Sequence, residues 1–192
     1  GGRSLGICTA TADLAQWQNL FGIDIEHIDQ FEIVRIAKKV DAKQVQRYKE
    51  WIEKNFGKIE FNGNSFTTEK LDLQIRSYLA TKKIIQNKEL DFIGIKCQTE
   101  MSDHFVLQCL NQSMLNDPYD ADGEKEPIVS SCECDHDGAL SMQILKILSG
   151  GKPTLFLDIR NVSNLEIIGA NCGSMPTWFT NYSFTASDNL SD

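Results

Sequence analysis

Residues 127–158 read Pro127-Ile-Val-Ser-Ser-Cys132-Glu133-Cys-Asp135-His-Asp-Gly138-Ala-Leu-Ser-Met-Gln-Ile-Leu-Lys-Ile-Leu-Ser149-Gly-Gly-Lys-Pro153-Thr-Leu-Phe-Leu-Asp158. Residues 127–132 read as a strand with its proline at the first position, where a missing N–H is tolerated. Asp135 is placed to cap the helix that follows over 138–149, and Gly150-Gly151 stops that helix. Residues 153–158 then read as a second short apolar strand. A strand, a helix and another strand in 32 residues is the repeating unit of a parallel sheet covered by helices.

The same rhythm extends outward in both directions. Residues 91–95 (DFIGI) form a short apolar strand, followed by a polar loop from Lys96 and a helix near 104–115. Upstream, residues 3–8 and 23–28 are strand candidates separated by a helix over 14–20, and another helix follows over 31–39. Asp41 caps a helix reaching Phe56, in which Val45, Tyr48, Ile52 and Phe56 recur at helical spacing. After the turn chemistry of Asn62-Gly63-Asn64, Thr67 caps a long helix with Leu71, Ile75, Tyr78 and Leu79 on one stripe. Downstream, residues 165–170 read as one more strand, residues 175–184 are aromatic without a clear period, and residues 186–192 read as a polar, frayed end. The expected fold is α/β: a doubly wound, mainly parallel sheet with helices on both faces, of the Rossmann or flavodoxin type. Residues 1–150 complete that domain, and residues 151–192 open a second one that never closes.

Composition agrees with a packed domain. Of 192 residues, 41% are hydrophobic and 24% charged, which is ordinary for globular chains. The net charge of −8 argues against a broad grip on nucleic acid or an anionic membrane. No stretch approaches ~18 apolar residues and no secretory leader is visible, so the expected setting is the cytoplasm with thiols reduced. The six cysteines contain no C-x-x-C pair; Cys132-x-Cys134-x-His136 is their one tight cluster, and small packing residues describe them better than zinc ligands.

The charge is concentrated. Eight acids and one base fall within residues 116–137, carrying −7 of the total −8. Most of this stretch reads as a solvated acidic loop. Two carboxylates stand apart from it, because ligands bind at the carboxyl ends of parallel strands. The strand ending near Cys132 delivers Glu133 to that edge, and the next delivers Asp158. Side by side, those strands would place two carboxylates at one mouth, which suits a hard divalent cation.

The runs Tyr119-Asp-Ala-Asp-Gly-Glu-Lys-Glu-Pro127, Ser131-Cys-Glu133-Cys-Asp135-His-Asp-Gly138 and Thr154-Leu-Phe-Leu-Asp158-Ile-Arg160 resemble the metal-site region of L-fucose isomerases. Glu133 and Asp158 lie 25 positions apart, as the corresponding pair does in that family. The opening Gly2-Arg-Ser-Leu-Gly6 and the run Phe21-Gly-Ile-Asp-Ile-Glu-His27 are similar to the start of its middle domain. The resemblance implies an aldose–ketose isomerase of the L-fucose to L-fuculose or D-arabinose to D-ribulose type, working through an enediol. It implies that Glu133 and Asp158 are both metal ligands, for Mn2+ or another divalent cation, and proton acceptors. It also implies a small aldose or ketose substrate and a hexameric homo-oligomer. Glu100, His104 and Asn171 are candidates to line the sugar site. Asp103 shares that edge, and His136 and Asp137 share the loop after Glu133. The family's third metal ligand, a histidine deep in its carboxy-terminal domain, has no counterpart among His27, His104 and His136. The chain is therefore expected to be a fragment of such an enzyme, inactive in isolation and without a firmly held metal. The alternative is a non-catalytic α/β module that binds a sugar or a partner. An acidic flavodoxin-like electron carrier fares worst, because no phosphate loop for a flavin is visible.

Overall fold

The computed structural model describes residues 13–56, 58–171 and 173–181. The strand expected over 3–8 and the polar end over 186–192 lie outside the described residues. Local capping chemistry sets most helix starts. Asp13 accepts from the amides of Ala15 and Gln16 and opens α1 (Leu14–Phe21), which Gly22 ends at φ 64°. α2 (Phe31–Ala37) follows, with Asp29 accepting from the Phe31 amide at 2.8 Å. Asp41 caps α3 (Ala42–Asn55) and Thr67 caps α4 (Thr68–Lys88), as the sequence predicts. Each such side-chain cap contributes about 1 kcal/mol.

The core forms where α2, α3 and α6 converge on α4. Tyr48, Ile75, Tyr78 and Leu115 are fully withdrawn from water, with Val45, Ile52, Leu71 and Met114 around them. β1 (Phe92–Ile95) leaves this core and pairs in parallel with β4 (Val129–Cys132), Phe92 opposite Val129 and Ile95 opposite Cys132. Between them run α5 (Glu100–His104), α6 (Cys109–Asn116) and a two-rung antiparallel hairpin of β2 (Tyr119–Asp120) and β3 (Gly123–Glu124). Val129, Ser130 and Ser131 are all buried, which consecutive strand residues can be only when both faces of the strand are covered. α6 and α7 (His136–Leu148) are the helices that pack on β4, and α7 also reaches β1.

Several expected elements take a different form. Among the described residues, no strand pairs with residues 23–28, in which Ile23, Ile25 and Ile28 turn half inward while Asp24 and Glu26 face water. The helix expected over 104–115 is two helices, because the chain turns at Phe105 to bury Val106 before α6 begins. Among the described residues, none pairs as a strand with 153–157; β5 (Asp158–Val162) begins at the residue expected to end that strand and pairs antiparallel with β6 (Ile167–Ala170). Asp158 therefore opens a hairpin rather than closing a parallel strand.

The acidic stretch is the largest correction. Asp117 and Asp120 are 3% and 2% exposed. Asp120 accepts from the Tyr78 hydroxyl and the Lys82 ammonium, and Asp122 from Tyr48, Arg47 and Lys82. Asp117 accepts from the Thr177 hydroxyl at 2.8 Å and the Trp178 amide at 3.0 Å, which fastens the 3-10 turn Thr177–Thr180 back onto the body. These aspartates stitch distant elements together, while Glu124, Glu126 and Asp137 stay exposed as a solvated loop would have them.

Candidate functional site

β1 and β4 run in parallel, so their carboxyl ends share one edge, and the loops that leave them face each other. β4 ends at Cys132, and Glu133 and Cys134 both adopt left-handed backbone, at φ 51° and 59°. The chain can fold over so tightly because Gly94 lies beneath it. A Cβ on Gly94 would stand 2.9 Å from the Cys134 Cα and 2.8 Å from the Ser131 Oγ, closer than real contacts allow. Glycine at this strand position is thus a requirement of the turn that carries Glu133.

The turn aims the Glu133 carboxylate across the edge into the loop after β1. Oε1 accepts from the Cys97 amide at 3.2 Å and the Gln98 amide at 3.0 Å, and Oε2 accepts from the Gln98 amide at 3.1 Å. Charge-assisted bonds to backbone amides fix the carboxylate in orientation without consuming another side chain. Asp135, two residues on, accepts from the Gly138 amide at 2.7 Å and caps α7, as expected. Its carboxylate serves the helix. Burial pushes the Cys134 thiol above its ordinary value, and the neighbouring Glu133 and Asp135 charges add to the effect.

The other predicted residues take scattered places around this edge. Glu100 stands in the first turn of α5, ion-paired with Lys96, which holds its carboxyl below the ordinary range. His104 ends α5 with its side chain in water. His27 is exposed, its ring 5.9 Å from that of His136. Asn171 accepts from the Gly173 amide at 2.8 Å, a local turn, and Gly173 passes close to Cys109 at the start of α6. Asp158 is half exposed and pairs with Arg160 at 3.5 Å. Two residues before it, the Phe156 ring lies against Gly138 in the first turn of α7.

A divalent cation does not fit these residues as they are placed. Both Glu133 oxygens face amides and Asp158 faces a guanidinium. Among the described residues, no three His, Cys, Asp or Glu side chains are grouped to hold an ion. The arrangement instead offers one rigid carboxylate, flanked by amides, at an open strand edge. The sequence reading missed Gly94, Cys97, Gln98 and Phe156. Gly94 carried a signal, because an isolated glycine inside an apolar strand marks close backbone approach; the amides of Cys97 and Gln98 carry none in residue type.

Comparison with known proteins adds a likeness. No family model matches the chain. Over 172 residues, 88% of its length, the chain is 26% identical to the sulfoquinovose isomerases of Priestia aryabhattai and Priestia megaterium, and equally so to that of Alkalicoccus urumqiensis. The match covers 36% of each relative, so the chain spans about a third of the length of the curated relatives it matches. The likeness is to proteins named as isomerases of a sugar, and L-fucose is not the sugar they name. Among the described residues no helix is long and apolar enough to cross a membrane.

Proposed function

We propose that this chain forms part of an aldose–ketose isomerase, in which Glu133 moves the proton between C1 and C2 of a small sugar. The observation that carries the proposal is the Glu133 carboxylate, locked by the Cys97 and Gln98 amides at the carboxyl end of a parallel strand. That is where α/β sheets bind ligands. The named relatives support the reaction class. The sugar belongs to the group that contains L-fucose, D-arabinose and sulfoquinovose.

The residues on the page suit the proton-transfer half of the reaction. A carboxylate takes the proton from C2, beside the C1 carbonyl, and returns it to C1, while the C2 hydroxyl proton passes to the C1 oxygen and the carbonyl moves to C2, with the enediol between. Holding the base by backbone amides keeps it in one orientation for both transfers. Asp158 is the second carboxylate of the proposal. A divalent cation such as Mn2+ would supply Lewis-acid stabilisation of the sugar oxygens when bound. The described residues do not make its site, and no step is assigned to it. In this proposal residues 1–150 form the sheet domain, residues 151–192 lead into a further one, and the chain by itself has no turnover.

A non-catalytic sugar-binding module is the second reading, favoured by the complete engagement of Glu133 with amides. The two are separated in a chimera in which residues 1–192 replace the matching third of a sulfoquinovose isomerase. In D2O with each of the three sugars, the isomerase reading expects turnover with deuterium entering at C1 or C2. Glu133→Gln should then lower turnover on the order of 10²–10⁴-fold. Normal turnover by Glu133→Gln would overturn the proposal, and sugar binding without turnover by the parent chimera would establish the binding module.

A further inference from the structure

Four polar side chains stand where the core is otherwise apolar. Ser77 and Thr81 of α4, with Gln108 and Asn111 at the start of α6, are closed to solvent on the two helices that supply Ile75, Tyr78, Met114 and Leu115. Spacings of four and three put each pair on one side of its helix. The Ser77 hydroxyl donates to Gln108 Oε1 at 2.6 Å, and the Asn111 amide group donates to the same oxygen at 3.0 Å. Asn111 also donates to the Thr81 hydroxyl at 2.8 Å, and Thr81 donates to the Ser77 carbonyl at 2.9 Å. Among the described residues Asn111 Oδ1 meets no donor, so an apolar filling would be at least as stable here. What hydrogen bonds add is direction: they select one register of α6 on α4.

The network reaches the Glu133 edge through Gln108. Its side chain folds back, Nε2 donating to the Val106 carbonyl at 2.7 Å, and its backbone amide donates to the Cys97 Sγ at 3.4 Å. The loop that leaves β1 at Cys97 is thereby tied to its own far end. The Cys97 carbonyl accepts from the Met101 and Ser102 amides at 3.0 and 3.2 Å, and Gln112 donates to the Ile95 carbonyl at 3.4 Å. The peptide units that offer the Cys97 and Gln98 amides to Glu133 are thus held from α6, and α6 is held from α4.

We infer that Gln108 is a positioning residue for Glu133: with Ser77, Thr81 and Asn111 it fixes the Cys97–Gln98 amides that orient the carboxylate. Gln108 does not touch the carboxylate and acts through Cys97. The bearing of this on proton transfer rests on the isomerase reading, whereas the placement of Glu133 does not.

The test uses the full chain. The Cys97 and Gln98 amide resonances should shift together as pH crosses the glutamate range, about 4.3, and Glu133→Gln should abolish that step. Gln108→Met should shrink the step at least about twofold and speed amide exchange at Cys97 and Gln98 about tenfold, while the Ile75 and Leu79 amides of α4 keep their protection. Thr81→Ser keeps the hydroxyl and should leave both readouts at the parent values. Ser77→Ala/Gln108→Met/Asn111→Leu removes donors and acceptors together, so it should keep the parent urea midpoint and still lose the step. A parent-like step in Gln108→Met overturns the inference, as does a step that survives Glu133→Gln. Exchange that rises equally in α4, equal losses in Thr81→Ser, or a triple variant that fails to fold would make the network part of the fold alone, and each overturns it too. If Gln108→Met by itself unfolds, the triple variant decides. No readout involves sugar or turnover, so a failure here is distinct from a failure of the isomerase reading.

Discussion

Asp120 accepts a hydrogen bond at 2.7 Å from the ammonium of Lys82, 38 residues earlier in the chain, while its own side chain is closed to solvent. The Tyr78 hydroxyl donates to the same oxygen, so one carboxylate joins the β2–β3 hairpin to two turns of α4. Removing it leaves the Tyr78 phenol facing a place that water does not reach, while the Lys82 ammonium keeps Asp122. Asp120→Ala is expected to cost about 1–3 kcal/mol, the usual penalty for a buried donor left without its acceptor. Urea denaturation measures this directly. The double variant Asp120→Ala/Lys82→Met should lose less than the two single losses combined, because each single variant already removes the bond the two share. Strict additivity would show that the pair is not coupled.

Lys125 predicts a rise of stability with pH. Its ammonium is buried against the carbonyl oxygens of Leu115 and Asp117, and burial pulls it from the ordinary 10.5 down to about 8, with the Asp120 and Asp117 charges opposing. Between those two values the unfolded chain holds a proton that the folded chain has released. Stability attributable to this group therefore increases as pH rises from about 8, with a slope of at most about 1.4 kcal/mol per pH unit. Tyr48, Tyr78 and Cys134 are raised in the fold and act in the opposite direction at higher pH. The measurement is thus the difference between the parent and Lys125→Met, followed by urea midpoints from pH 7 to 9.5. An unchanged difference across that range contradicts a depressed Lys125.

Gly94→Ala tests the turn that carries Glu133. The added methyl would collide with backbone at Cys134 and with the Ser131 hydroxyl, and backbone cannot step aside as a side chain does. Overpacking of this kind costs about 1–3 kcal/mol. Faster amide exchange at Cys97 and Gln98 should accompany the loss, because the displaced turn withdraws the carboxylate they share. A stable variant with unchanged exchange there would separate Gly94 from the placement of Glu133.

What the sequence revealed follows the range of the interactions involved. The caps at Asp41, Thr67 and Asp135 act within three residues, so residue type at one position predicts them. The β1 and β4 strands were legible because apolar runs bounded by polar loops need no knowledge of partners. The acidic stretch misled for the opposite reason. The partners of Asp120 and Asp122 are Arg47, Tyr48, Tyr78 and Lys82, as far as 75 residues away, and a local count of charge cannot see them. Residues 153–158 misled because an apolar run does not disclose whether its partner precedes or follows it. Here β6 follows β5, and an antiparallel hairpin outcompetes a parallel crossover. Glu133 was found by its position at a strand end, but the amides that hold it belong to every residue and leave no trace in composition.

Glu133 and Asp158 should part company when stability rather than turnover is measured. Glu133 satisfies two backbone amides, and Glu133→Ala leaves both without that acceptor at a half-closed edge. A loss of about 0.5–1.5 kcal/mol is expected, from the part-buried Cys97 amide, since water replaces the carboxylate at the exposed Gln98 amide. Glu133→Gln keeps a carbonyl oxygen for one amide and should recover most of that loss while still removing the charge. Asp158 is half exposed and, among the described residues, pairs with Arg160 alone, so Asp158→Ala is expected to stay within about 0.5 kcal/mol of the parent. Urea midpoints of the three variants rank these effects, and amide exchange at Cys97 and Gln98 locates the first of them. A Glu133→Ala protein as stable as Asp158→Ala would mean that the amide cradle does not hold the carboxylate in solution. The preorganised base on which the proposed proton transfer depends would then be lost with it.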